Sequence, residues 1–438
     1  MSLMALGSWG RYPAFRQQGH PIYWQENVPQ ALAELAAGPP VLAYGCGRSY
    51  GDSCMAVSDR VLVMSRMNRI LFANWNTGII VAEAGLTLAD LIRVALPRGW
   101  FPGVTPGTKF VTLGGAVAND VHGKNHHVMG TFGRQVRSIT LHRTAEGTVT
   151  ASPVSRPELF AATVGGLGLT GVILTVELQL RLVASSDVEQ RSTRFRNLDE
   201  FFDLSQAQDC EHEYTVAWID CLATGKSSGR GYYVTGKHAT EGELTVERSG
   251  AWRFPIDPAV SLVNLYSLRA FNSVYYRRQF KKNLERRVKY GAFFYPLDRV
   301  EMWNRIYGRA GFQQYQCVVP RPHGREIIGS ILHEISRSGT GSFLAVLKQC
   351  GALRSPGLMS FPLHGVSLAL DFPQREQVNR RLFAKLDALV HEAGGRLYPA
   401  KDAHMSASHF QSAYPAWERV EALRDPRLMS RFWQRVTQ

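Results

Sequence analysis

Seven glycines fall between Gly103 and Gly133, and a second cluster, VGGLGLTG (residues 164–171), follows downstream. Glycine weakens a helix interior and opens left-handed dihedrals, so neither stretch can be a long helix. What glycine-dense loops between short apolar runs do well is bring successive backbone N–H groups close to a ligand. The first part of the chain is therefore expected to be short strands and helices joined by ligand-facing loops. Residues 41–44, 60–65 and 79–84 read as strands, and residues 88–96 have the spacing of an amphipathic helix with Gly99 as its C-cap. SITLHRTAEGTVTA reads as a hairpin.

From about residue 187 the pattern changes. YTVAWIDC, YQCVVP, SFLAVLK and VSLALDFP read as strands, residues 325–338 and 375–393 as helices, and GGRLYPAKDAHMSASHF opens with a Gly-Gly helix stop. A chain of 438 residues is too long for one ordinary core. The expected class is α+β, with residues 1–186 as one domain, 187–394 as a second, and 395–438 returning to the first.

Three stretches carry chemistry. In VLAYGCGRSYGDS, Gly45-x-Gly47 after an apolar strand is close to a dinucleotide fingerprint, but Gly51 arrives one position late and a strand-like run follows, so a Rossmann turn is excluded. A loop of N–H groups beside Arg48 suits a pyrophosphate instead. PGTKFVTLGGAVAND pairs glycines with the small Ala116 and Ala118, leaving room for a flat ring system. NDVHGKNHHVMGTFG places His122, Lys124, His126 and His127 within six residues. Zinc would need imidazoles on a stable helix plus a third ligand, and Gly123 and Asn125 weaken a helix here, so no metal is expected.

The six cysteines, Cys46, Cys54, Cys210, Cys221, Cys317 and Cys350, are scattered without a C-x-x-C pair or a secretory leader before them, which argues for reduced packing thiols. No apolar run approaches the ~20 residues that span a bilayer, so a soluble or peripheral protein is expected.

The net charge of +14 asks for an anionic partner. Residues 268–290, LRAFNSVYYRRQFKKNLERRVKY, set eight Arg and Lys against Glu285 and interleave them with aromatics. A solvated basic helix, a segment lying on anionic headgroups, and an RNA-binding stretch all fit this composition. No recognised nucleic-acid module surrounds it, so nucleic acid is not an expected partner, although a basic nucleic-acid-binding protein without cofactor is the non-enzyme alternative.

Taken in order, GCGRSYGDS, PGTKFVTLGGAVANDVHGKNHHVMGTFG, ELFAATVGGLGLTG and GRLYPAKDA resemble the flavoproteins of the vanillyl-alcohol oxidase superfamily, and within it the decaprenylphosphoryl-β-D-ribose 2-oxidases. The resemblance implies a two-subdomain FAD-binding domain of the vanillyl-alcohol oxidase (PCMH) type and a substrate domain whose antiparallel sheet lies over the isoalloxazine. It implies that Gly45, Cys46, Gly47, Arg48, Ser49 and Gly51 hold the FAD pyrophosphate, with Tyr50 beside the flavin as part of the catalytic set. Pro106, Gly107, Thr108, Thr112, Gly114, Gly115, Ala118 and Asn119 match a second flavin segment, and Leu167, Gly168, Thr170 and Gly171 a third near the adenosine. His122, Gly123 and Lys124 match positions beneath the flavin, and Tyr398 and Lys401 the pair brought by the chain's return. Trp218, Tyr295, Gln314, Gln316 and Lys348 match substrate-pocket positions.

Departures from the pattern are informative. Relatives that tether FAD covalently use a histidine in the first loop or a cysteine before the Gly-Gly pair, where this chain has Arg48 and Thr108, so the flavin is expected to be non-covalent. Ser367 and Ala369 stand where mycobacterial members carry Asn and Cys, which leaves the sugar open. The implied activity is oxidation of a secondary hydroxyl of a polyprenyl-phosphate-linked pentose to a keto-sugar, handed to a short-chain reductase. The implied setting is cytoplasmic, peripheral at an anionic inner-membrane surface. A soluble aldonolactone or sugar-alcohol oxidase on the same scaffold is the alternative, and oxygen and quinone both stay open as electron acceptor.

Alcohol oxidation by a flavin needs a hydride acceptor, a base for the hydroxyl proton and a cation near the reduced ring. Lys401 is the expected cation and also a candidate base, since burial can lower a lysine pKa far enough. His122 could orient or deprotonate the hydroxyl, and Lys124 could bind a substrate oxygen or phosphate. Gln314 and Gln316 alternate on one strand, so both point to one face, as hydroxyl recognition requires.

Overall fold

A computed structural model describes residues 6–35, 37–209, 211–247 and 252–438; Cys210 lies outside these residues. Short parallel strands come first, Gln18–Pro21 and Leu42–Tyr44 on either side of Arg60–Val63. A six-stranded antiparallel sheet follows, in the order Ile70–Asn74, Ile79–Glu83, Val172–Leu182, Val136–Arg143 and Gly147–Ala151, with Trp100–Pro102 paired to the end of Val172–Leu182. Its core is Ile80, Ala82, Ile139, Leu141, Val176 and Leu178 packed on the helix Leu88–Ala95 and on Leu113, Ala116 and Val117. That helix forms where the apolar spacing puts it: Thr87 caps it by accepting from the Asp90 N–H at 3.1 Å. Gly99 takes the left-handed φ of 81° just beyond it.

The second half is one antiparallel sheet of eight strands, ordered Asn283–Lys289, Asp187–Phe195, Gly231–His238, Tyr214–Ile219, Ala345–Cys350, Gly365–Pro373, Phe312–Pro320 and Arg396–Leu397. Helices Leu198–Gln208, Gly324–Arg337 and Glu376–Glu392 supply the apolar residues Phe201, Ile328, Ile331, Leu332, Leu382 and Phe383 to its core. Gly394 adopts a φ of 68° and stops the last of them, which lets the chain turn back into the sheet edge at Arg396–Leu397 and then run on to the first domain's loops.

The basic segment is not one helix. It is a helix at Leu265–Arg277 and then an edge strand at Asn283–Lys289, paired with Asp187–Phe195. Its charges are carried by the outermost strand of the sheet, where lysine and arginine discourage a further strand from adding.

Candidate active site

The glycine-rich loops and the uncovered face of the eight-stranded sheet enclose a cavity of about 930 Å³. Backbone geometry explains the loops. Gly47 has a φ of 60°, and a Cβ there would overlap the Tyr44 hydroxyl and crowd the Gly7 carbonyl, so only glycine lets residues 45–51 curl after the strand. The Arg48 guanidinium lies 4.0 Å over the Trp9 ring, while its buried Nε has no acceptor among the described residues. Thr112 caps the short helix Leu113–Ala118 by accepting from Gly115 N at 3.1 Å, and Asn119 donates to the Gly115 carbonyl at 2.8 Å. Gly168, at φ 76°, and Gly107 would each point an added Cβ into open space. These are the marks of a cradle for a ligand that backbone must approach: an orphaned buried guanidinium beside successive N–H groups for phosphates, and glycine gaps for a flat ring. The residues present thus fit a dinucleotide cofactor.

The chain's return closes the cradle. Tyr50 N donates to the Ala400 carbonyl at 2.9 Å, Tyr398 N to the Gln316 carbonyl at 2.9 Å, and the Tyr398 hydroxyl to the Asn119 carbonyl at 2.8 Å. Lys401 Nζ rests 3.6 Å from the centre of the Tyr50 ring. Burial lowers the Lys401 pKa to about 7, against the pull of Asp371 and with the push of Arg48.

Opposite stands the polar sheet face. Gln314, Gln316, Lys348, Ser367, Ala369 and Trp218 all line the cavity, because the register pairs Gln316 with Ala369 and Lys348 with Ser367. His122 sits between the two sides. Lys348 Nζ contacts its Nδ1 and donates to the Gly123 carbonyl at 3.0 Å, while the Gln316 amide lies 3.3 Å from Nε2. With Lys348 donating to Nδ1, the ring proton belongs on Nε2, where it meets Gln316 with the amide turned so that its oxygen faces the ring and accepts. Burial, reinforced by Lys348, His126 and Lys401, holds the His122 pKa well below its usual range, so the ring is neutral. Lys124 Nζ donates to the Phe293 carbonyl at 2.9 Å and the Phe294 carbonyl at 3.3 Å, and burial followed by Lys348 lowers its pKa to about 7.

The histidines do not converge. His126 Nδ1 accepts from Gly351 N at 3.2 Å and His127 Nε2 meets the His212 carbonyl at 2.8 Å, so each ring is spoken for separately.

Among the positions singled out from sequence, three stand behind the wall rather than on it. A Cβ on Gly51 would run into the Asp402 carbonyl, so this glycine serves the docking of the return segment. The Thr170 hydroxyl bonds Thr163 at 2.8 Å inside the first domain. The Tyr295 hydroxyl bonds Thr105 at 2.6 Å and is buried, because the turn after the helix Tyr290–Phe294 aims the ring into the domain junction. Ala116 is buried in the first domain's core and makes no room for a ring, His126 and His127 lie off the cavity, and the other positions matched to the flavin and substrate sites line it.

Sequence reasoning passed over Asp298, whose Oδ2 accepts from Lys109 N at 2.9 Å beside the cavity. It also passed over Phe361, which stacks on Tyr398 at 4.6 Å and lies 5.5 Å from the His122 ring. Of the basic rim, Arg278, Arg286 and Lys289 belong to the basic segment singled out above, while Arg299 was passed over. Strand parity from Ser367 and Ala369 would have found Asp371, two residues on; nothing local marks Phe361.

Comparison with known proteins agrees with this geometry. Residues 25–152 match the FAD binding domain family. The chain is 35% identical over 426 residues, 92% of its own length and 90% of the relative's, to decaprenylphosphoryl-β-D-ribose oxidase of Mycolicibacterium smegmatis. It is 33% identical to an uncharacterized protein of Streptomyces coelicolor, over 77% of this chain and 95% of that one. A shorter match, 34% over 159 residues or 35% of each chain, is to L-gulonolactone oxidase of Scyliorhinus torazame. The domain match covers the first two glycine loops and the first relative spans both walls of the cavity, so the chain belongs to the family of FAD-dependent oxidoreductases that includes decaprenylphosphoryl-β-D-ribose oxidase.

Proposed function

We propose that this enzyme oxidises a secondary hydroxyl of a polyprenyl-phosphate-linked pentose to a keto-sugar, using FAD held without a covalent bond. The observation that carries the reading is the meeting of Lys401, His122, Lys348 and Gln316 around one cavity, with a flavin cradle on one side and a polar sheet face on the other. We read residues 1–186 as the vanillyl-alcohol-oxidase-type FAD domain, its parallel and antiparallel sheets being the two subdomains, with 187–394 as the substrate domain and 395–438 as the return.

FAD bound here supplies the hydride acceptor. Arg48 and the N–H groups of residues 45–51 neutralise its phosphates. Gln316 and Gln314 orient sugar hydroxyls from one strand face. Lys348 occupies the lone pair of His122, so His122 serves as a neutral donor that fixes the reacting oxygen rather than as the base. Lys401, with a pKa of about 7, takes the hydroxyl proton on Nζ and leaves a positive charge against the Tyr50 face.

A lipid-linked substrate must be met at a membrane surface, and the rim supports this. Val260, Tyr266, Val274 and Phe280 are 74%, 84%, 71% and 89% exposed, too much apolar surface to leave in water without a use. Arg269, Arg277, Lys281 and Lys282 stand among them, and Tyr275 and Arg278 continue the patch into the cavity. This fits peripheral docking on anionic headgroups at the inner face of the cytoplasmic membrane. No helix among the described residues is long and apolar enough to cross a membrane. A short-chain reductase acting on the keto product is the matching partner.

The match to L-gulonolactone oxidase favours a second reading, a soluble aldonolactone or sugar-alcohol oxidase. Anaerobic mixing decides between them. Bleaching of the yellow enzyme by a polyprenyl-phosphoryl pentose and not by aldonolactones is expected, and the reverse pattern would replace the first reading with the second. Release of the yellow colour by acid is expected for non-covalent FAD.

A further inference from the structure

Asp371 is a buried carboxylate that the mechanism leaves unused. Asp371 stands on the strand Gly365–Pro373, directly across from Gln314 and two residues beyond the cavity-lining Ala369. Its side chain is 0% exposed. Oδ1 accepts from Gln314 Nε2 at 2.6 Å, Asp371 N donates to Ser342 Oγ at 3.0 Å, and Oδ2 has no donor among the described residues. A carboxylate so poorly satisfied is costly to bury unless a positive charge faces it.

We propose that Asp371 is a positioning residue, the buried counter-charge that fixes the seat and the protonation of Lys401 through the Gln314–Tyr50 wall. Two ring contacts and one strand spacing place it there. Lys401 lies on the face of Tyr50, the Tyr50 ring meets Phe312 edge-on at 5.2 Å, and Phe312 sits two residues before Gln314 on the same strand. Asp371 and Lys401 thus flank one layer of side chains, contributed by different domains.

The groups whose charges act on this pair or on the rings beside it are Arg48 and Tyr50 from the first loop, His122 from the second, Tyr307 from the turn Trp303–Tyr307, and Asp298, which acts on Tyr50. Arg48 pushes the Lys401 pKa down and Asp371 pushes it up, while burial raises that of Asp371 to about 7 against the pull of Gln314 and Lys401. Each charge therefore depends on the other, and removing the carboxylate leaves Lys401 with burial and Arg48 alone.

The inference rests on the proposed role of Lys401, but its test does not need a substrate. Lysines of the purified protein are methylated with ¹³C-formaldehyde, and the Lys401 methyl signal, assigned by its loss in Lys401→Arg, is titrated by NMR. In Asp371→Asn the Lys401 midpoint is expected to fall by on the order of one pH unit or more, with Lys124 and Lys348 unmoved and FAD still bound, and Asp371→Glu should restore much of it. Gln314→Met keeps the carboxylate but removes its donor. That raises the Asp371 pKa, neutralises it near pH 7, and is expected to lower the Lys401 midpoint in the same direction. In turnover by Asp371→Asn, the pH dependence of kcat should move with the NMR midpoint while KM stays near its original value. An unmoved Lys401 midpoint in both Asp371→Asn and Gln314→Met would overturn the proposal. A moved midpoint in an enzyme that no sugar bleaches would uphold it and count against the substrate reading instead.

Discussion

The two sides of the cavity are built from different materials. The cradle is mostly backbone: Gly47 and Gly168 in left-handed conformations, Thr112 capping a short helix, and N–H groups facing inward. The sheet wall is mostly side chain: Gln314, Gln316, Lys348 and Ser367, aimed by register between strands far apart in sequence. A backbone cradle tolerates few substitutions, because the space and dihedrals it needs are those glycine alone supplies. A side-chain wall can be rewritten one residue at a time, which is where the change of substrate is expected to reside.

The comparison is broken most severely at Gly51. Gly51→Val would drive a branched side chain into the Asp402 carbonyl, and is expected to cost on the order of 4 kcal/mol or more, read as a lowered urea midpoint together with loss of FAD absorbance. Lys401→Met should fold and keep FAD yet lose about 2.7–4 kcal/mol of transition-state stabilisation, as removal of one preorganised group does. Stopped-flow flavin reduction measures this, and a near-normal rate would remove Lys401 from the reaction. Gln316→Leu sharpens the contrast: it leaves the cradle intact and is expected to cost about 1–3 kcal/mol in kcat/KM, since the His122 ring and a sugar hydroxyl lose their partner.

A smaller effect is expected in the pH dependence of stability. The folded pKa of Lys124 is about 7 against the usual 10.5, so between these values the unfolded chain holds a proton that the folded chain lacks, and stability rises with pH across that window. Lys124→Met should flatten the rise in part, because Lys401 still contributes to it; urea unfolding at pH 7 and pH 9 measures the difference. Least affected in solution will be Lys281→Glu with Lys282→Glu, at within about 0.5 kcal/mol of stability. Flotation on anionic vesicles should weaken by about 1 kcal/mol for each cation removed, and unchanged binding would detach the membrane surface from the rim.

Much of this was legible from the chain alone. Left-handed turns, a capped helix and a Gly-Gly stop are decided by neighbours within a few residues, so the loops at 45–51, 106–119 and 167–171 could be read directly, as could Gly99 and Gly394. The basic segment misled, because a run of Arg and Lys fits a helix or an edge strand equally well until pairing with Asp187–Phe195 chooses. Tyr295 misled for a related reason, since its direction depends on how a helix and a turn pack at the junction.

The sequence by itself determined the cofactor class and the backbone that cradles it, because dihedral freedom and capping are local properties. Only the tertiary structure decided that Lys348 would quiet His122, that Lys401 would rest on the Tyr50 ring, and that Asp371 would lie opposite Gln314. Those placements arise from strand register and from a chain return across hundreds of residues, and no short-range pattern encodes a contact between positions so far apart.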